Sequence, residues 1–355
     1  MSHLVNLAYI GHYTDETMLG IRVVRVDCES GAMEVLHTVQ IANAVWLVQS
    51  KDGSCIYSAC NDGLVAFRVQ PDGALEEFSR LPLPGLTAPC HAVVSADGSC
   101  LAWAEYRNGV IGAVELDADG AFRQDTLRTV RHEGRGFSSP RQDSPHAHCV
   151  RFTPDGKFLC AVDLSLDAVK VYDFTGGVSG LAARPELDLH FAPGTGPRHI
   201  VFHPNGHLAF VISELASRVA SYRYSDGVFE LVSDESLLPD GFSGTSIAAA
   251  VKVSEDGGEL YCSNRGHDSL AVFSIDQATG ALSRRAILPL GGSFPRDFAF
   301  APGGRILLAC LKKSGILRTY AYDRAACSLA PLADLSGLYR PLFVLFSPQP
   351  LATNP

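Results

Sequence analysis

The chain contains, at residues 197–233, the stretch PRHIVFHPNGHLAFVISELASRVASYRYSDGVFELVS. Four segments rich in β-branched and aromatic residues alternate in it with turn residues. These segments are Pro197–Phe202, Leu208–Ile212, Arg218–Tyr224 and Phe229–Ser233, with Asn205-Gly206 between the first two. Asn-Gly and Asp-Gly pairs supply the positive backbone φ angle that tight hairpins require. The stretch therefore predicts four consecutive antiparallel strands.

Equivalent turn dipeptides recur along the chain at intervals of 45 to 58 residues. They are Asp52-Gly53, Asp97-Gly98, Asp155-Gly156, Asn205-Gly206, Asp256-Gly257 and Gly303-Gly304. A four-stranded unit that repeats every 40 to 50 residues or so is typical of a β-propeller blade. The six turns therefore predict six blades.

The two ends of the chain predict a seventh blade. Leu4–His12, Gly20–Asp27 and Met33–Gln40 read as three strands with no inner strand before them, whereas Pro341–Phe346 reads as an inner strand without a blade. Joining the two ends protects the sheet edges and closes the ring. The predicted fold is all-β, a seven-bladed propeller of four-stranded blades that forms one domain over residues 1–355.

Composition excludes several classes of partner. The 38 acidic residues outnumber the 29 basic ones, which leaves no positive surplus for nucleic acid or an anionic membrane. Apolar runs of about five residues are far shorter than the roughly 20 of a membrane span. The ten cysteines are scattered through apolar segments without a Cys-x-x-Cys pair, which favours reduced thiols. The N-terminus lacks a signal-like pattern, so we expect a cytoplasmic protein, monomeric or homodimeric.

The predicted blades bring polar residues to one rim of the channel. The first residue of an inner strand and the last residue of the second strand meet at the rim opposite the hairpin tip. In a simple hairpin the residue numbers of any two paired positions add up to the same constant. This pairing rule lets each turn predict which residues face each other. This rule places Arg198 opposite Glu214 and His148 opposite Asp163.

The same rule gathers further polar residues at that rim. They are His91 with Tyr106 beside it, Asn264 with Arg265, and Arg296. Arginine forks bind carboxylate or phosphate, and imidazole and carboxylate groups can move protons. The rim therefore predicts a site for a small anionic, oxygen-rich substrate, although structural ion pairs between blades are the alternative interpretation.

Two other features of the sequence bear on this site. His146 and His148 alternate along one strand, but no third ligand stands at a suitable spacing, so no metal is predicted. Which of the two faces the channel stays open. The loop Arg131–Asp143 is longer than a hairpin link and could cover the mouth as a lid, or be a solvated insertion.

Several motifs resemble the lactonase family of seven-bladed propellers, which contains bacterial 6-phosphogluconolactonases and fungal carboxymuconate cyclases. The matching segments are Tyr9–Thr14, His146–His148 with Val162–Leu164, Gly194–Gly206 with Ser213–Leu215, Cys262–Ser269 and Phe294–Phe298. The similarity covers nearly the whole chain. Glu105 and Cys310 depart from the family pattern, which has asparagine at both positions.

The resemblance implies a cytoplasmic enzyme without metal or cofactor that opens or closes a sugar or muconate lactone. The family's acid/base and anion-binding residues carry over onto His148, Arg198, Glu214 and Arg265. The other rim residues are expected to bind the substrate, and they are His91, Tyr106, Asp163, His199, Asn264 and Arg296.

Three functions remain open at this point. A lactonase would use His148, oriented by Asp163 or Glu214, to activate water, with Arg198 and Arg265 holding negative charge. A muconate-type cycloisomerase would use the same groups to move a proton to or from carbon. A non-enzymatic binding propeller is the third.

Overall fold

The computed structural model describes residues 5–15, 20–137 and 140–350. Within them the chain forms seven sheets arranged as the blades of a ring, which confirms the predicted seven-bladed propeller. The regular elements are β-strands and two 3-10 helices, at Val178–Gly180 and Pro185–Leu187. None of the helices in these ranges has the length and apolar composition of a membrane span.

The blades are numbered from the one that contains both chain ends, and their strands are given from the channel outward. Blade 1 consists of β29 (Pro341–Pro350), β1 (Val5–His12), β2 (Ile21–Asp27) and β3 (Met33–Val39). Blade 2 consists of β4 (Trp46–Gln49), β5 (Cys55–Cys60), β6 (Gly63–Val69) and β7 (Leu75–Pro82). Blade 3 consists of β8 (His91–Val94), β9 (Cys100–Glu105), β10 (Val110–Leu116) and β11 (Phe122–Arg131). Blade 4 consists of β12 (Ala147–Phe152), β13 (Phe158–Asp163), β14 (Ala168–Asp173) and a split outer edge of β15 (Ala182–Ala183) and β16 (Leu189–His190).

The remaining three blades are regular. Blade 5 consists of β17 (Pro197–Phe202), β18 (Leu208–Ser213), β19 (Arg218–Ser225) and β20 (Val228–Ser236). Blade 6 consists of β21 (Ile247–Val253), β22 (Glu259–Arg265), β23 (Ser269–Ile275) and β24 (Leu282–Pro289). Blade 7 consists of β25 (Pro295–Phe300), β26 (Ile306–Leu311), β27 (Ile316–Asp323) and β28 (Ser328–Leu335).

Each predicted dipeptide lies in the turn between an inner strand and the second strand of its blade. In blade 3, Oδ1 of Asp97 accepts hydrogen bonds from the Ser95 hydroxyl and the Ser99 amide, and Gly98 has a φ of 76°. Blades 2, 4 and 6 repeat this carboxylate-capped turn. The repeated turn chemistry fixes where each inner hairpin reverses.

Apolar packing between neighbouring blades forms the core. Among the described residues, seven clusters of buried apolar side chains lie one at each contact between adjacent blades. Between blades 2 and 3 the cluster contains Trp103, which is fully buried. Gly112 allows this packing, because a Cβ there would lie 2.4 Å from the indole ring. The ring closes where β29 pairs with β1.

β-bulges interrupt the inner strands of blades 4 to 7 near their first residues. The register shifts between Ala147 and Cys149, Pro197 and His199, Ala248 and Val251, and Pro295 and Asp297. The residues inside three of these bulges are His148, Arg198 and Arg296. A bulge inserts an unpaired residue and re-aims its side chain. Three of the predicted site residues therefore owe their orientation to the same local irregularity.

Candidate active site

The propeller channel is divided into two chambers. The mouth chamber lies at the rim opposite the hairpin tips and has a volume of about 500 Å³. The tip chamber opens among the hairpin tips and has a volume of about 930 Å³. Between them Trp46, Arg198 and His199 border a gap of only about 10 Å³. A small molecule in one chamber is therefore separated from the other by packed side chains.

The mouth chamber is strongly cationic. Five positively charged side chains and one carboxylate, that of Glu214, line it. The five are Arg107, Arg141, Arg265, Arg296 and Lys312. Tyr106, His148, Phe294 and Cys90 complete its chemically distinctive lining. The predicted residues His148, Glu214, Arg265, Tyr106 and Arg296 are thus brought together as expected.

Three guanidinium groups converge on the carboxylate of Glu214. Its Oε2 lies 2.9 Å from Nε of Arg198 and 2.6 Å from Nη2 of Arg265, and its Oε1 accepts a hydrogen bond from Arg141. Burial acts to raise the pKa of Glu214, but the charges of Arg265 and Arg198 outweigh it and hold that pKa well below its usual range. Glu214 is therefore ionised and fully occupied by its partners.

Arg198 lies beneath the chamber floor. Its side chain is buried, and its Nη1 donates a hydrogen bond of 2.6 Å to the carbonyl of Ala249 in the next blade. Gly196 lies two residues before Arg198 and has a φ of 61°. A Cβ at this position would lie 2.5 Å from the Leu215 side chain, so glycine is required there. Burial, then the nearby charges of Arg296 and Arg265, lower the pKa of Arg198 to about 9. It acts as a support for Glu214 and not as a wall of the chamber.

His148 is the imidazole that lines the mouth chamber. Its Nδ1 is buried without a hydrogen-bond partner in the described part of the chain, and its ring lies edge-on to Tyr106 at 5.5 Å. Burial and the charge of Arg198 hold the pKa of His148 well below 6.5, so the ring is neutral at physiological pH. His146 instead stacks on Tyr106, with 4.1 Å between ring centroids. The sequence left these two histidines undecided, and the structure separates them.

Four of the expected substrate-binding residues lie elsewhere. Asp163 is fully buried, and its Oδ2 pairs with His132 at 2.7 Å while Oδ1 accepts the His146 amide. The prediction that Asp163 orients His148 is therefore wrong, because the bulge turns His148 away from it. Asn264 is also fully buried and donates to the Leu237 carbonyl at 2.8 Å, so it ties β22 to the preceding blade.

His91 and His199 line the tip chamber, on the other side of the dividing layer. Their rings lie edge-to-face at 5.5 Å, and that of His91 packs on Trp46 at 4.1 Å. Both follow directly after residues that face the mouth side, Cys90 and Arg198. Successive side chains on an extended strand point in alternate directions, so His91 and His199 point away from the mouth when Cys90 and Arg198 point toward it. The pairing rule therefore placed both histidines at the mouth wrongly, by one residue.

Sequence reasoning missed several residues of the chamber. Lys312 follows the end of β26, and its ammonium lies 5.1 Å from the Tyr13 ring and 5.5 Å from the Phe294 ring. Phe294 has a φ of 67°, unusual for a bulky residue, and its amide donates to Asp268. Lys312 would have been found if the pairing rule had been extended by one residue past the end of each second strand. The positive φ angle of Phe294 has no signal in the sequence.

The loop Arg131–Asp143 supplies Arg141 to the chamber. Its ends are fixed by the His132–Asp163 pair and by Gln142, which donates to the Leu164 carbonyl at 2.8 Å. Residues 138 and 139 lie outside the described residues, so the expectation of a lid is not tested. The described part of the loop contributes one charged side chain to the chamber wall.

The buried histidines predict acid sensitivity. Burial, followed by nearby guanidinium groups, holds the pKa values of His91, His148 and His199 well below 6.5 in the folded protein. The unfolded chain therefore takes up protons first as the pH falls below 6.5, which stabilises the unfolded state. We expect the free energy of unfolding to drop by a few kcal/mol between pH 7 and 5.5, in roughly equal parts from the three imidazoles.

Urea unfolding at the two pH values measures this drop. Glu214 contributes no change in this window, because its stabilisation is lost only as the pH falls below its unfolded value of 4.5. His199→Gln should remove about one third of the decrease. Equal stability of the wild type at pH 7 and 5.5 would contradict the assignment.

Comparison with known proteins agrees with this architecture. The profile of the family described as "Lactonase, 7-bladed beta-propeller" matches residues 7–346. The 6-phosphogluconolactonase of Bacillus subtilis is 31% identical over 351 residues, which are 97% of this chain and 99% of that protein. The structure of a periplasmic gluconolactonase of Pseudomonas aeruginosa superposes with a TM-score of 0.90 at 28% identity, covering 97% and 99% of the two chains. A protein from Lactobacillus plantarum gives a TM-score of 0.87 at 29% identity, with the same coverage. The chain therefore belongs to the lactonase family of seven-bladed β-propellers and is itself a lactonase.

Proposed function

We propose that this lactonase hydrolyses a phosphorylated sugar lactone of the 6-phosphogluconolactone type in the mouth chamber. The observation that carries the proposal is the meeting of a neutral, buried imidazole with five cationic side chains in one cavity. Within the part of the chain that the structure describes, Glu214 is the single carboxylate of the cavity, and it is already paired with three of the protein's own guanidinium groups. The remaining positive charge favours an anionic substrate.

The reaction requires a base, an anion-binding group and an acid. Neutral His148 accepts a proton from water, whose oxygen attacks the lactone carbonyl carbon. The carbonyl oxygen gains negative charge and is stabilised by Arg265, whose Nε has no partner among the described residues. When the ring C–O bond breaks, protonated His148 returns the proton to the leaving oxygen. The products are one hydroxyl and one carboxylate, with one proton released to solvent.

Glu214 does not take part in proton transfer in this scheme. A carboxylate held by three guanidinium groups stays ionised at any pH at which the protein works. Its role is to fix the position of Arg265 and Arg141 around the substrate. Proton transfer therefore rests on His148 alone.

Arg296 and Lys312 are the groups that would bind the phosphate. Both line the chamber, and the side chain of Arg296 has no ion-pair partner among the described residues. Burial and the charges of Arg296 and Arg265 lower the pKa of Lys312 to about 8, a cost that a bound phosphate dianion would relieve. The B. subtilis relative is named for a phosphorylated lactone and the P. aeruginosa relative for gluconolactone, and the charge of the chamber favours the phosphorylated class for this chain.

A lactone panel tests the proposal. Proton release is followed with a pH indicator on 6-phosphogluconolactone, gluconolactone and galactonolactone, with spontaneous opening subtracted. We expect kcat/KM to be about 100-fold higher for the phosphorylated lactone. The plain lactones lack the charge-assisted hydrogen bonds that the phosphate would make with Arg296 and Lys312. Lys312→Gln should reduce that preference about tenfold or more while leaving gluconolactone turnover unchanged within a few-fold.

Each other outcome has a definite meaning. Equal rates on phosphorylated and plain lactones would overturn the phosphate assignment but not the lactonase. Ultraviolet loss of a carboxymuconate, without hydrolysis of any sugar lactone, would replace the proposal with the cycloisomerase alternative.

We further propose that the protein works in a reducing compartment such as the cytoplasm. All ten cysteines are free, and seven of those in blades 2 to 7 are buried inside strands, at Cys55, Cys60, Cys100, Cys149, Cys160, Cys262 and Cys310. Cell fractionation with an antibody would check the location.

A further inference from the structure

The tip chamber is larger than the mouth chamber and has no part in the reaction described above. Its floor is aromatic, with Trp46 and Phe343 packed at 4.2 Å between ring centroids. The walls are apolar residues of the inner strands, such as Val48, Val93 and Val201. A cavity of this size and lining is suited to a small organic ligand.

Two polar groups in the tip chamber lack partners within the protein. The guanidinium of Arg151 has no hydrogen-bond or ion-pair partner among the residues that the structure describes. Nδ1 of His91 is buried and likewise unpartnered there, although the residue is only 1% exposed. Buried polar atoms are rarely left without a partner. Both groups are suited to bind an oxygen anion.

The other charged groups of the chamber do not compensate Arg151. Lys252 is paired with Asp297, with 3.3 Å between Nζ and Oδ1, and Asp297 also accepts the Val344 amide. Glu255 is exposed at the chamber's outer edge. Arg151 therefore remains the uncompensated charge of the chamber.

We propose that the tip chamber is a second binding site, for a small carboxylate that carries a flat apolar group. The carboxylate would pair with Arg151 and accept a hydrogen bond from His91, and the flat group would pack on Trp46 and Phe343. This site is separate from the mouth chamber, since the packed layer at Arg198 and His199 lies between them. It does not depend on which lactone the enzyme hydrolyses.

Tryptophan fluorescence offers a direct assay. The chain has two tryptophans, and only Trp46 lines the tip chamber, because Trp103 is fully buried between blades 2 and 3. Benzoate is the probe, and benzyl alcohol is its uncharged counterpart. We expect benzoate to change the emission saturably and benzyl alcohol to bind at least about tenfold more weakly.

Variants locate the bound probe. Arg151→Gln should weaken benzoate binding about 10- to 100-fold, whereas Arg151→Lys should retain much of it. Lys312→Gln, in the mouth chamber, should leave the affinity unchanged, and Trp46→Phe should abolish the signal. The melting temperature of each variant shows that it is folded.

Three results would overturn the proposal. They are an emission change that does not saturate, an Arg151→Gln protein that binds benzoate as tightly as the wild type, and a loss of affinity in Lys312→Gln equal to that in Arg151→Gln. The last would place the probe in the mouth chamber.

Discussion

We expect the substitution Glu214→Gln both to destabilise the protein and to reduce its activity strongly. The substitution keeps the shape of the side chain but removes the negative charge shared by Arg141, Arg198 and Arg265. Breaking a buried ion pair costs about 3 to 5 kcal/mol, because the remaining charge stays buried without compensation. We expect the free energy of unfolding to fall by about this amount in urea titrations.

Activity should fall in the same variant for a different reason. Without the carboxylate the three guanidinium groups repel one another, and Arg141 and Arg265 would no longer be held around the substrate, so kcat/KM should decrease by about 100-fold or more. Phosphate ions should restore part of the lost stability, because an anion bound in the mouth chamber beside Arg141 and Arg265 would offset part of their repulsion.

Glu259→Gln is the matched control. Glu259 is an equally buried carboxylate that pairs with Arg285 and Arg324, but it lies at the start of β22, at the tip side of blade 6. The Glu259→Gln protein should be less stable than the wild type but keep its kcat. An unchanged unfolding midpoint for Glu214→Gln would contradict the account of the cluster.

The second large effect is expected at His148. Replacing it with glutamine removes the only imidazole that lines the mouth chamber among the described residues, while nearly preserving the side-chain volume. Loss of a general base lowers rates by about 10² to 10⁴-fold. We expect this decrease in kcat, with KM changed little, in the lactone assay.

His203→Gln controls for the loss of a buried imidazole. His203 is 3% exposed and bonded through Nε2 to the carbonyl of Gly257 at 2.9 Å, in the hairpin turn after β17. Its replacement should lower the melting temperature without lowering kcat. If His148→Gln retained wild-type kcat, proton transfer would have to be assigned to another group.

The sequence was sufficient to predict the seven-bladed propeller because characteristic turn dipeptides mark the inner hairpin of each blade from 2 to 7. Each Asp-Gly or Asn-Gly pair fixes a reversal, and the spacing of the reversals fixes the blades. The pairing rule also predicted Arg198 opposite Glu214, which lie 2.9 Å apart. The prediction holds although Arg198 lies in the bulge of β17, because its side chain still reaches Glu214.

The same rule failed at the bulge of blade 4. It placed Asp163 opposite His148, but the bulge pairs Asp163 with Ala147, so the two side chains leave the sheet in different directions. Arg141 was beyond prediction for another reason: it comes from a loop whose path depends on the buried contact between His132 and Asp163. Such positions are set by tertiary contacts that have no local signature.

The crystal structure of the protein with gluconolactam 6-phosphate tests the location of the reaction most directly. In this analogue an N–H replaces the ring oxygen, so the ring resists opening. We predict that it occupies the mouth chamber, with its carbonyl oxygen within hydrogen-bond distance of Arg265, its ring beside His148 and its phosphate at Arg296 and Lys312. An analogue bound in the tip chamber, or one in the mouth chamber beyond reach of His148, would contradict this assignment.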